Sequence, residues 1–349
     1  MKKDFSRYLI NADASIKEAL LKINELSSDI LTLFVINNED VVIGTLTDGD
    51  IRRGLIKGCP LSDKVSLIAH KNFYYFNKDN LDLRLVKKVR DEEIKLVPFL
   101  DDFGRIVRIY NFTKRRSILP IDAVLMAGGR GERLRPLTDK VPKPMLKIGS
   151  KPIIEHNIDN LMLHGVDDFY ITVNYLAEQI IDYFGNGEAK EINIKYINET
   201  DPLGTIGSVS LIKEFKNETI LIMNSDLFTN INYEDFYQNF VGENADMSVA
   251  SIPYNTSIPY AVLNYENDII KSFEEKPTYT FYANAGIYLI KKKLLTTIPI
   301  NDSYNATDLI QSLIDMNYKI IKYPIVGYWV DIGRLEDYNK VQEFAKHLV

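Results

Sequence analysis

The sequence predicts an α/β protein in two parts, a small amino-terminal α/β module followed by a larger domain built on a mainly parallel sheet. The chain has 349 residues, of which 46% are hydrophobic, enough to bury more than one core. Its first third contains two copies of a strand-and-helix pattern. From Ile121 onward, apolar strands alternate with helices, which is typical of a parallel sheet covered on both faces.

The first copy of the repeated pattern begins with a helix start signal. Ser15 and Glu18 have the spacing of a capping box, and Ile16, Leu20 and Ile23 follow on one helical face. Two apolar strands, LTLFVIN and VVIGTL, come next. The string DGDIRRGLIKG then predicts a turn into a second helix.

The second copy is weaker and consists of the strands LVPFLDD and GRIVRIYNF. Because two copies of a βαβ-type unit can bury each other's open face, residues 1–117 are predicted to form one module. The basic segment Thr113–Ser117, followed by Pro120, breaks the pattern and is predicted to be a linker. Residues 118–349 are the predicted second domain.

The second domain opens with the strand IDAVLMA. In the next helix, PIIEHNIDNLMLHG, Ile154, Ile158 and Leu161 form one apolar stripe before Gly165 ends it. The later predicted strands are DDFYITVN, ETILIMN, ADMSVASI, NAGIYLI and YWV.

Composition excludes several classes of function. The net charge of −6 and the absence of a long basic stripe argue against a nucleic-acid binder. Cys59 is the only cysteine, so no intramolecular disulfide can form, and His70, His156, His164 and His347 lack zinc-ligand spacing. The sequence begins without an apolar export signal and contains no run of about 18 apolar residues, so we expect a cytoplasmic protein with no membrane partner.

The loop after the first strand of the second domain combines glycines with positive charge. Glycines let backbone amides approach a phosphate chain closely, because no Cβ stands in the way. At the carboxyl end of a strand in an open α/β sheet, such a loop predicts a ligand site. Its glycines and cations are Gly128, Gly129, Gly131, Arg130, Arg133 and Lys143.

Two common phosphate-binding loops do not fit these residues. A P-loop needs Gly-Lys-Ser/Thr, but Glu132 and Arg133 follow Gly131. A dinucleotide fingerprint needs a third glycine where Leu134 stands.

The whole string LMAGGRGERLRPLTDKVPKPML instead resembles the sugar-nucleotide pyrophosphorylase family, whose signature GGxGxRLxPLT continues to a Lys-Pro pair. The match is ungapped over Gly128–Thr138. The resemblance implies a Rossmann-like, GT-A-like nucleotidyltransferase domain in which Arg133 and Lys143 act in catalysis. It also implies nucleotide contacts from Ala127, Gly128, Gly129, Arg130 and Gly131.

Nucleotidyl transfer means that a sugar-phosphate oxygen attacks the α-phosphorus of a nucleoside triphosphate and expels pyrophosphate. Phosphate is already ionised at neutral pH, so catalysis rests on alignment and charge neutralisation. Mg²⁺ suits this role and takes one or two carboxylates. Asp226 and Asp331 each follow an apolar strand, so both are expected at the same carboxyl edge of the sheet.

The family resemblance implies the same two metal ligands. NSDLF resembles the family's first metal motif with Asp226 in place, although Ser225 stands where the family has glycine. The string from Trp329 to Gly333 matches the second motif, W-x-D-x-G, with Asp331 as the acid.

Two further strings resemble the family's substrate contacts. EEKP and NAGIY imply that Glu275, Lys276 and Asn284 bind the sugar phosphate, and Tyr260 occupies the place of a sugar-contacting loop. ETDPLGTIGS resembles the base-binding loop, and the implied contacts are Glu199, Gly204 and Thr205. A carboxylate at Glu199 favours guanine, which offers two adjacent N–H donors. Uracil and thymine suit an amide better.

The string GTLTDGDIRR resembles the end of a CBS motif, and the doubled module resembles a CBS pair. The resemblance implies that Thr47 and Asp50 hold the phosphate and ribose of an adenine nucleotide. The second copy has Asn111 and Lys114 at the corresponding positions and has therefore lost the ribose acid. The module is either regulatory or dimerising, and fold alone does not decide between these roles.

These features together predict an enzyme that transfers GMP from GTP to a hexose 1-phosphate with Mg²⁺, as a homo-oligomer. The two-part architecture resembles bacterial enzymes that make GDP-glucosamine for legionaminic acid. Other bases and sugars remain open, including mannose 1-phosphate with GTP and glucose 1-phosphate with dTTP or UTP. A catalytically inactive, nucleotide-sensing subunit is the alternative from another functional class.

Overall fold

The computed structural model describes residues 5–26, 29–199 and 201–346. Thr200 of the predicted base loop and His347 lie outside these ranges. The chain divides into two compact units between Ile118 and Leu119.

Within its described residues, the first unit contains five short strands and three helices. A parallel pairing joins β1 to β2, β3 pairs antiparallel to β2, and β4 and β5 form a separate antiparallel pair. In chain order the elements are β1 (Leu9–Asn11), α1 (Ile16–Glu25), β2 (Thr32–Ile36), β3 (Val42–Thr47), α2 (Asp48–Ile56), α3 (Leu83–Asp91), β4 (Leu96–Leu100) and β5 (Ile106–Asn111).

The predicted start of α1 is confirmed, since Ser15 and Glu18 form a reciprocal capping box. A bridge between Val41 and Arg105 links the two copies of the pattern. The copies differ after their last strand, because α2 follows β3 whereas a turn follows β5 at Asn111.

The segment predicted as a linker is only partly exposed. Thr113 and Lys114 face solvent, but Ser117, Ile118 and Leu119 are buried. Ile118 packs in the core of the first unit, and the Leu119 N–H donates to the His164 carbonyl in the second unit. Apolar side chains therefore anchor the end of the basic segment.

The second unit contains thirteen strands and five helices within the described ranges. Its first half consists of β6 (Ile121–Ala127), β7 (Lys147–Ile148), β8 (Lys151–Pro152), α4 (Ile153–Leu163), β9 (Asp168–Val173), α5 (Ala177–Phe184), β10 (Asn193–Asn198), β11 (Thr219–Asn224) and β12 (Leu227–Thr229). Its second half consists of α6 (Tyr233–Gly242), β13 (Met247–Ser257), β14 (Val262–Glu266), β15 (Ile269–Glu274), β16 (Thr278–Lys291), α7 (Ala306–Asp315), β17 (Ile320–Pro324), β18 (Trp329–Asp331) and α8 (Leu335–Ala345).

A seven-stranded sheet forms the centre of this unit, in the order β10-β9-β6-β11-β16-β13-β17. Every neighbouring pair is parallel except the two that involve β16, which runs against β11 and β13. The prediction of a mainly parallel sheet is confirmed. Its central strands are buried along nearly their whole length, as expected for a sheet covered on both faces.

One sheet assignment from the sequence was wrong. The YWV strand, β18, lies outside the large sheet and pairs antiparallel with β12 in a ribbon of its own. A three-residue strand can pair with any nearby strand of similar length, and the sequence does not show which strand that will be.

Residues 253–284 extend beyond the large sheet and are called the β-arm here. The arm consists of the outer halves of β13 and β16, which stay paired from Ser251↔Asn284 to Ser257↔Thr278, and of the β14–β15 hairpin between them. No helix in the described ranges is long and apolar enough to cross a membrane.

Candidate active site

The glycine-rich loop begins where β6 ends, at the buried Ala127. A Cβ at Gly128 would lie 2.9 Å from the Glu199 Oε1 atom, so this glycine lets the Glu199 carboxylate approach the loop backbone. A Cβ at Gly129 would meet no atom within 4 Å. The backbone at Gly129 therefore borders open space, as a phosphate-binding loop requires.

Gly131 fixes the shape of the loop. Its φ of +63° lies in the left-handed region, and a Cβ there would come within 3.0 Å of the Lys143 Cβ and 3.1 Å of the Thr138 Cγ2. The buried Thr138 hydroxyl donates to the Gly131 carbonyl at 2.8 Å. These contacts pack Lys143 directly against the loop.

Lys143 connects the loop to two acidic residues. Its side chain is 10% exposed, its ammonium donates to a carboxylate oxygen of Asp226, and it lies 3.5 Å from the Asp331 Oδ1. Arg133 is exposed, with its guanidinium beside Gly333. Arg130 is also exposed. The structure thus brings Lys143, Asp226 and Asp331 together at the glycine-rich loop.

The two aspartates meet through the β12–β18 ribbon. Asp226 lies two residues after the end of the central strand β11, and the ribbon register pairs the next residue, Leu227, with Asp331. The Ile332 N–H also donates to the Asp226 carbonyl. The expectation that both acids lie at the carboxyl edge of one sheet is therefore correct for Asp226 and wrong for Asp331, which the ribbon supplies.

The acid pair fits a small divalent cation. The Asp226 Oδ1 atom is buried and has no hydrogen-bond partner in the described part of the chain, while its other oxygen accepts from Lys143. An unpaired buried carboxylate oxygen is costly unless a cation or donor meets it. No group of three or more His, Cys, Asp or Glu that could hold a metal ion is found among residues 5–26, 29–199 and 201–346. Two carboxylates with open positions suit Mg²⁺, which keeps water and phosphate ligands.

Electrostatics at the pair agree with this fit. Burial raises the pKa of Asp331, and the neighbouring Asp226 carboxylate raises it further, while Lys143 and Arg133 oppose the shift. The negative charge of Asp331 is therefore incompletely balanced by the neighbouring cations.

The backbone around Asp226 is held by residues that the sequence analysis did not select. The Asn157 amide, on α4, donates to the carbonyls of Ser225 at 3.3 Å and Leu227 at 2.9 Å. The Ser225 hydroxyl donates to the Met126 carbonyl at 2.6 Å, so serine at the family's glycine position is satisfied. Asn157 interrupts the apolar stripe of α4, and this polar residue within an apolar stripe is the sequence signal that indicates its structural role.

Glu199 lies against the loop at Gly128. Burial raises the pKa of this carboxyl, whereas the nearby hydroxyls of Ser208 and Thr172 and the Leu203 backbone favour its ionised form. A half-buried carboxylate beside the glycine-rich loop is available to a base bound there.

Gly204 and Thr205 have structural contacts of their own. A Cβ at Gly204 would lie 2.6 Å from the Tyr304 carbonyl oxygen, which explains the glycine by close packing. The Thr205 hydroxyl accepts the Ala306 N–H at 2.9 Å, at the start of α7. The loop that contains Gly204 and Thr205 is thus fastened to the α7 amino terminus.

The predicted sugar-side residues are divided between two places. Gly286 lies beside Asn224, two residues before Asp226, and Asn284 bonds locally to Tyr288 and to the Gly286 N–H. Asn284 is the last residue of the β-arm, at its base, whereas Tyr260, Glu275 and Lys276 lie further out on the arm, and these three are exposed.

In the first unit, Thr47 and Asp50 form a reciprocal capping box at the start of α2, and Asp50 also pairs with Arg53 at 2.6 Å. Both polar groups implied to bind a nucleotide are therefore engaged locally. In the second copy, Asn111 and Lys114 line a cleft together with Asp29 and Lys95.

The chain is similar to several known proteins. A family model described as "Nucleotidyl transferase" matches residues 122–347. The chain is 33% identical over 231 residues to the "Bifunctional protein GlmU" of Methanocaldococcus jannaschii, covering 64% of this chain and 54% of that protein. It is 30% identical over 223 residues to the "Mannose-1-phosphate guanyltransferase" of Yarrowia lipolytica, covering 62% of this chain and 61% of that protein. The chain therefore spans less than two thirds of either relative.

A solved structure, HddC from Yersinia pseudotuberculosis complexed with GMP-PN, is similar with a TM-score of 0.51 and 26% identity. The match covers 64% of this chain and 98% of HddC.

Proposed function

The chain belongs to the nucleotidyl transferase family, and from that premise we propose that it joins a nucleoside monophosphate to a sugar 1-phosphate. One observation carries the proposal: Lys143 touches the glycine-rich loop and two carboxylates at once. A loop of free amides, a buried cation and an acid pair are the groups that a triphosphate under attack requires.

In the proposed reaction, a sugar-phosphate oxygen forms a bond to the α-phosphorus while the bond to pyrophosphate breaks, and the electron pair leaves with pyrophosphate. Lys143 and Arg133 would balance the phosphate charge, and the amides of Gly128, Gly129 and Gly131 would orient it. Ala127 and Arg130 would flank the nucleotide.

Asp226 and Asp331 would hold Mg²⁺. When bound, the metal supplies positive charge to the phosphates. The chain's own contribution is to keep both carboxylates at the loop, through Asn157 on one side and the β12–β18 ribbon on the other.

We propose guanine as the base. The half-buried Glu199 carboxylate beside Gly128 can accept both N–H donors of the guanine edge. The mannose-1-phosphate guanyltransferase and HddC similarities are consistent with this choice. Gly204 and Thr205 would shape the loop that brings Glu199 to the base.

For the sugar, we propose a hexose 1-phosphate held by Asn284, Tyr260, Glu275 and Lys276, with glucosamine 1-phosphate as the first candidate. The product would then serve legionaminic acid or another surface glycan, in the cytoplasm. This choice is supported by the two-part architecture and not by a residue that reads an amino group.

For the first unit, we propose a regulatory or dimerising role as a CBS pair. Thr47 and Asp50 already bond to each other in a capping box, and this local engagement favours the dimerising role.

The test is pyrophosphate release by the whole chain with Mg²⁺, each of four NTPs and a panel of sugar 1-phosphates. We expect release with GTP and one hexose 1-phosphate, and no release without the sugar. Failure with every pair would leave the inactive, nucleotide-sensing subunit as the better description.

A further inference from the structure

Two buried hydroxyl groups lie near Glu199. Thr172, on β9, is fully buried, and Ser208, in the short 3-10 helix Gly207–Leu211, is 1% exposed. No group in the described part of the chain forms a complete hydrogen bond with either hydroxyl. Because a buried hydroxyl without a partner is costly, each of the two requires an explanation.

The strand order explains why the Glu199 side chain passes over β9. The Glu199 N–H donates to the Val173 carbonyl at 2.9 Å, and the Asn174 amide donates to the Glu199 carbonyl at 2.8 Å. Both backbone polar groups of Glu199 are thus tied to the end of β9. In the sheet, β9 lies between β10 and β6, yet the Glu199 carboxylate lies against Gly128, just after β6. The side chain therefore crosses the end of β9.

Thr172, Ser208 and Glu199 belong to the same face of the sheet. Thr172 pairs with Ile197 of β10, and paired residues of neighbouring strands project from one face. Glu199 comes two residues after Ile197, so it shares that face by strand alternation. Ile197 packs against the core cluster that contains Val209, the sequence neighbour of Ser208. The 3-10 helix that carries Ser208 therefore covers this face.

The charge of Glu199 connects the two hydroxyls. Burial raises the pKa of this carboxyl, whereas the hydroxyls of Ser208 and Thr172 and the Leu203 backbone lower it. A hydroxyl lowers the pKa of a carboxyl when it donates toward the charged form. Both hydroxyls therefore favour a charged carboxylate that lies across Gly128, with its Oε1 and Oε2 atoms 2.9 and 3.0 Å from the position that a Cβ would take.

We propose that Thr172 and Ser208 are positioning residues that hold the Glu199 carboxylate in the orientation that selects the base. This inference rests on the proposed function, because it takes Glu199 as the group that accepts the N–H donors of guanine. The two hydroxyls do not contact the nucleotide. They stabilise the carboxylate from the protein side, which leaves an acceptor position on each oxygen for the base.

Inosine triphosphate (ITP) tests the orientation of the carboxylate, because it is GTP without the exocyclic amino group. A carboxylate that accepts both N–H donors of guanine loses one of them with ITP, whereas the phosphates and the ribose are the same. Calorimetric titration of the full chain with GTP or ITP, each with Mg²⁺ and no sugar, gives the two dissociation constants. We expect wild type to bind GTP about tenfold more tightly than ITP.

Thr172→Val and Ser208→Ala remove the hydroxyls with little change in side-chain volume. Each should reduce the preference for GTP to about threefold or less, mainly by weakening GTP binding. Thr172→Ser keeps a hydroxyl and should keep the preference. Ser248→Ala is the matched control, because the Ser248 hydroxyl is also buried without a partner in the described part of the chain but lies on β13, four strands from β9.

A second background separates positioning from a general effect on folding. In Glu199→Gln, the further change Ser208→Ala should leave the ratio of the two dissociation constants unchanged, since the carboxylate that Ser208 positions is gone. If wild type prefers GTP, then equal losses for both nucleotides in Thr172→Val and Ser208→Ala, or an unchanged ratio in both, overturn this inference alone. A wild-type chain that does not prefer GTP to ITP refutes the choice of guanine, and the inference with it.

Discussion

Lys143 donates a hydrogen bond to Asp226, a residue 83 positions further along the chain, from a side chain packed against the glycine-rich loop. This contact joins the glycine-rich loop to the acid pair. It predicts that the two residues contribute mainly to turnover.

We expect Lys143→Ala and Asp226→Ala each to lower kcat more than tenfold, because each removes a charge that opposes or organises the phosphates. Initial rates of pyrophosphate release measure the effect. Lys147→Ala, an exposed lysine on β7, is the matched control and should keep its rate. Near-normal rates in both variants, with unchanged melting, would remove Lys143 and Asp226 from the mechanism.

Asn157→Leu should weaken metal use, since it removes the two amide hydrogen bonds on either side of Asp226. The free energy of unfolding should fall by about 1–3 kcal/mol, because two carbonyls lose their buried donor. A titration of activity against Mg²⁺ should shift to higher concentration. Asn160→Ala, on the same helix, should change neither quantity. An unaltered Mg²⁺ curve would argue against a positioning role for Asn157.

Two alanine substitutions in the loop should have separable effects. Gly131→Ala should lower the free energy of unfolding by about 1–2 kcal/mol, because it forces a left-handed backbone on alanine. The Cβ added by Gly129→Ala would contact no protein atom, so the melting temperature should be unchanged. The KM for the triphosphate should rise. The reverse pattern would contradict the assignment of open space at Gly129 to phosphate.

Glu199→Gln should reduce kcat/KM for GTP about tenfold or more, which is the loss of one hydrogen bond to a charged group. Use of UTP or dTTP relative to GTP should rise, because an amide can both donate and accept. Initial rates with each nucleotide decide the point. Glu188→Gln, at an exposed site, is the control. Unchanged base preference would exclude Glu199 from base recognition.

The same substitution has a pH-dependent effect on stability. Burial raises the pKa of Glu199 above its ordinary value of 4.5, so the folded chain holds this proton more tightly than the unfolded chain. This contribution to stability is therefore lost as pH rises from 4.5 through the raised pKa. Glu199→Gln should unfold at higher denaturant than wild type at pH 7, and the difference should shrink below pH 4.5.

Asp50→Ala should act on the first unit alone. It removes half of a capping box and the Arg53 pair, so the free energy of unfolding should fall by about 1 kcal/mol. Initial rates of transfer without added adenine nucleotide should stay at the wild-type value. Loss of all activity from this change would contradict the separation of roles between the units.

The sequence predicted the sheet and the loop well because both have strong local signals. A buried strand followed by a glycine-rich turn can be recognised from a few consecutive residues. The capping box at Ser15 can be recognised from only four residues. The strand around Asp331 could not be placed, because its partner β12 is about 100 residues away and equally short.

Other features depend on contacts that no pattern reveals. Gly204 matches the glycine of a base-binding loop, but the Tyr304 carbonyl fills the space that a Cβ at residue 204 would need. The alternation of large side chains around Tyr254 and Phe281 predicts strands, yet periodicity cannot tell whether a strand is covered. The sequence could have indicated a structural role for Asn157, because it is an amide on an apolar helix stripe. The carbonyl groups that it binds could not have been predicted.

The β12–β18 ribbon has a consequence for biosynthesis. A ribosome makes Asp226 well before Asp331, so a nascent chain can complete most of the large sheet while the acid pair is still missing. Translation that stops short of β18 would therefore release a polypeptide with a folded glycine-rich loop and with Asp226 but not Asp331. We expect such products to bind nucleotide without catalysing its transfer.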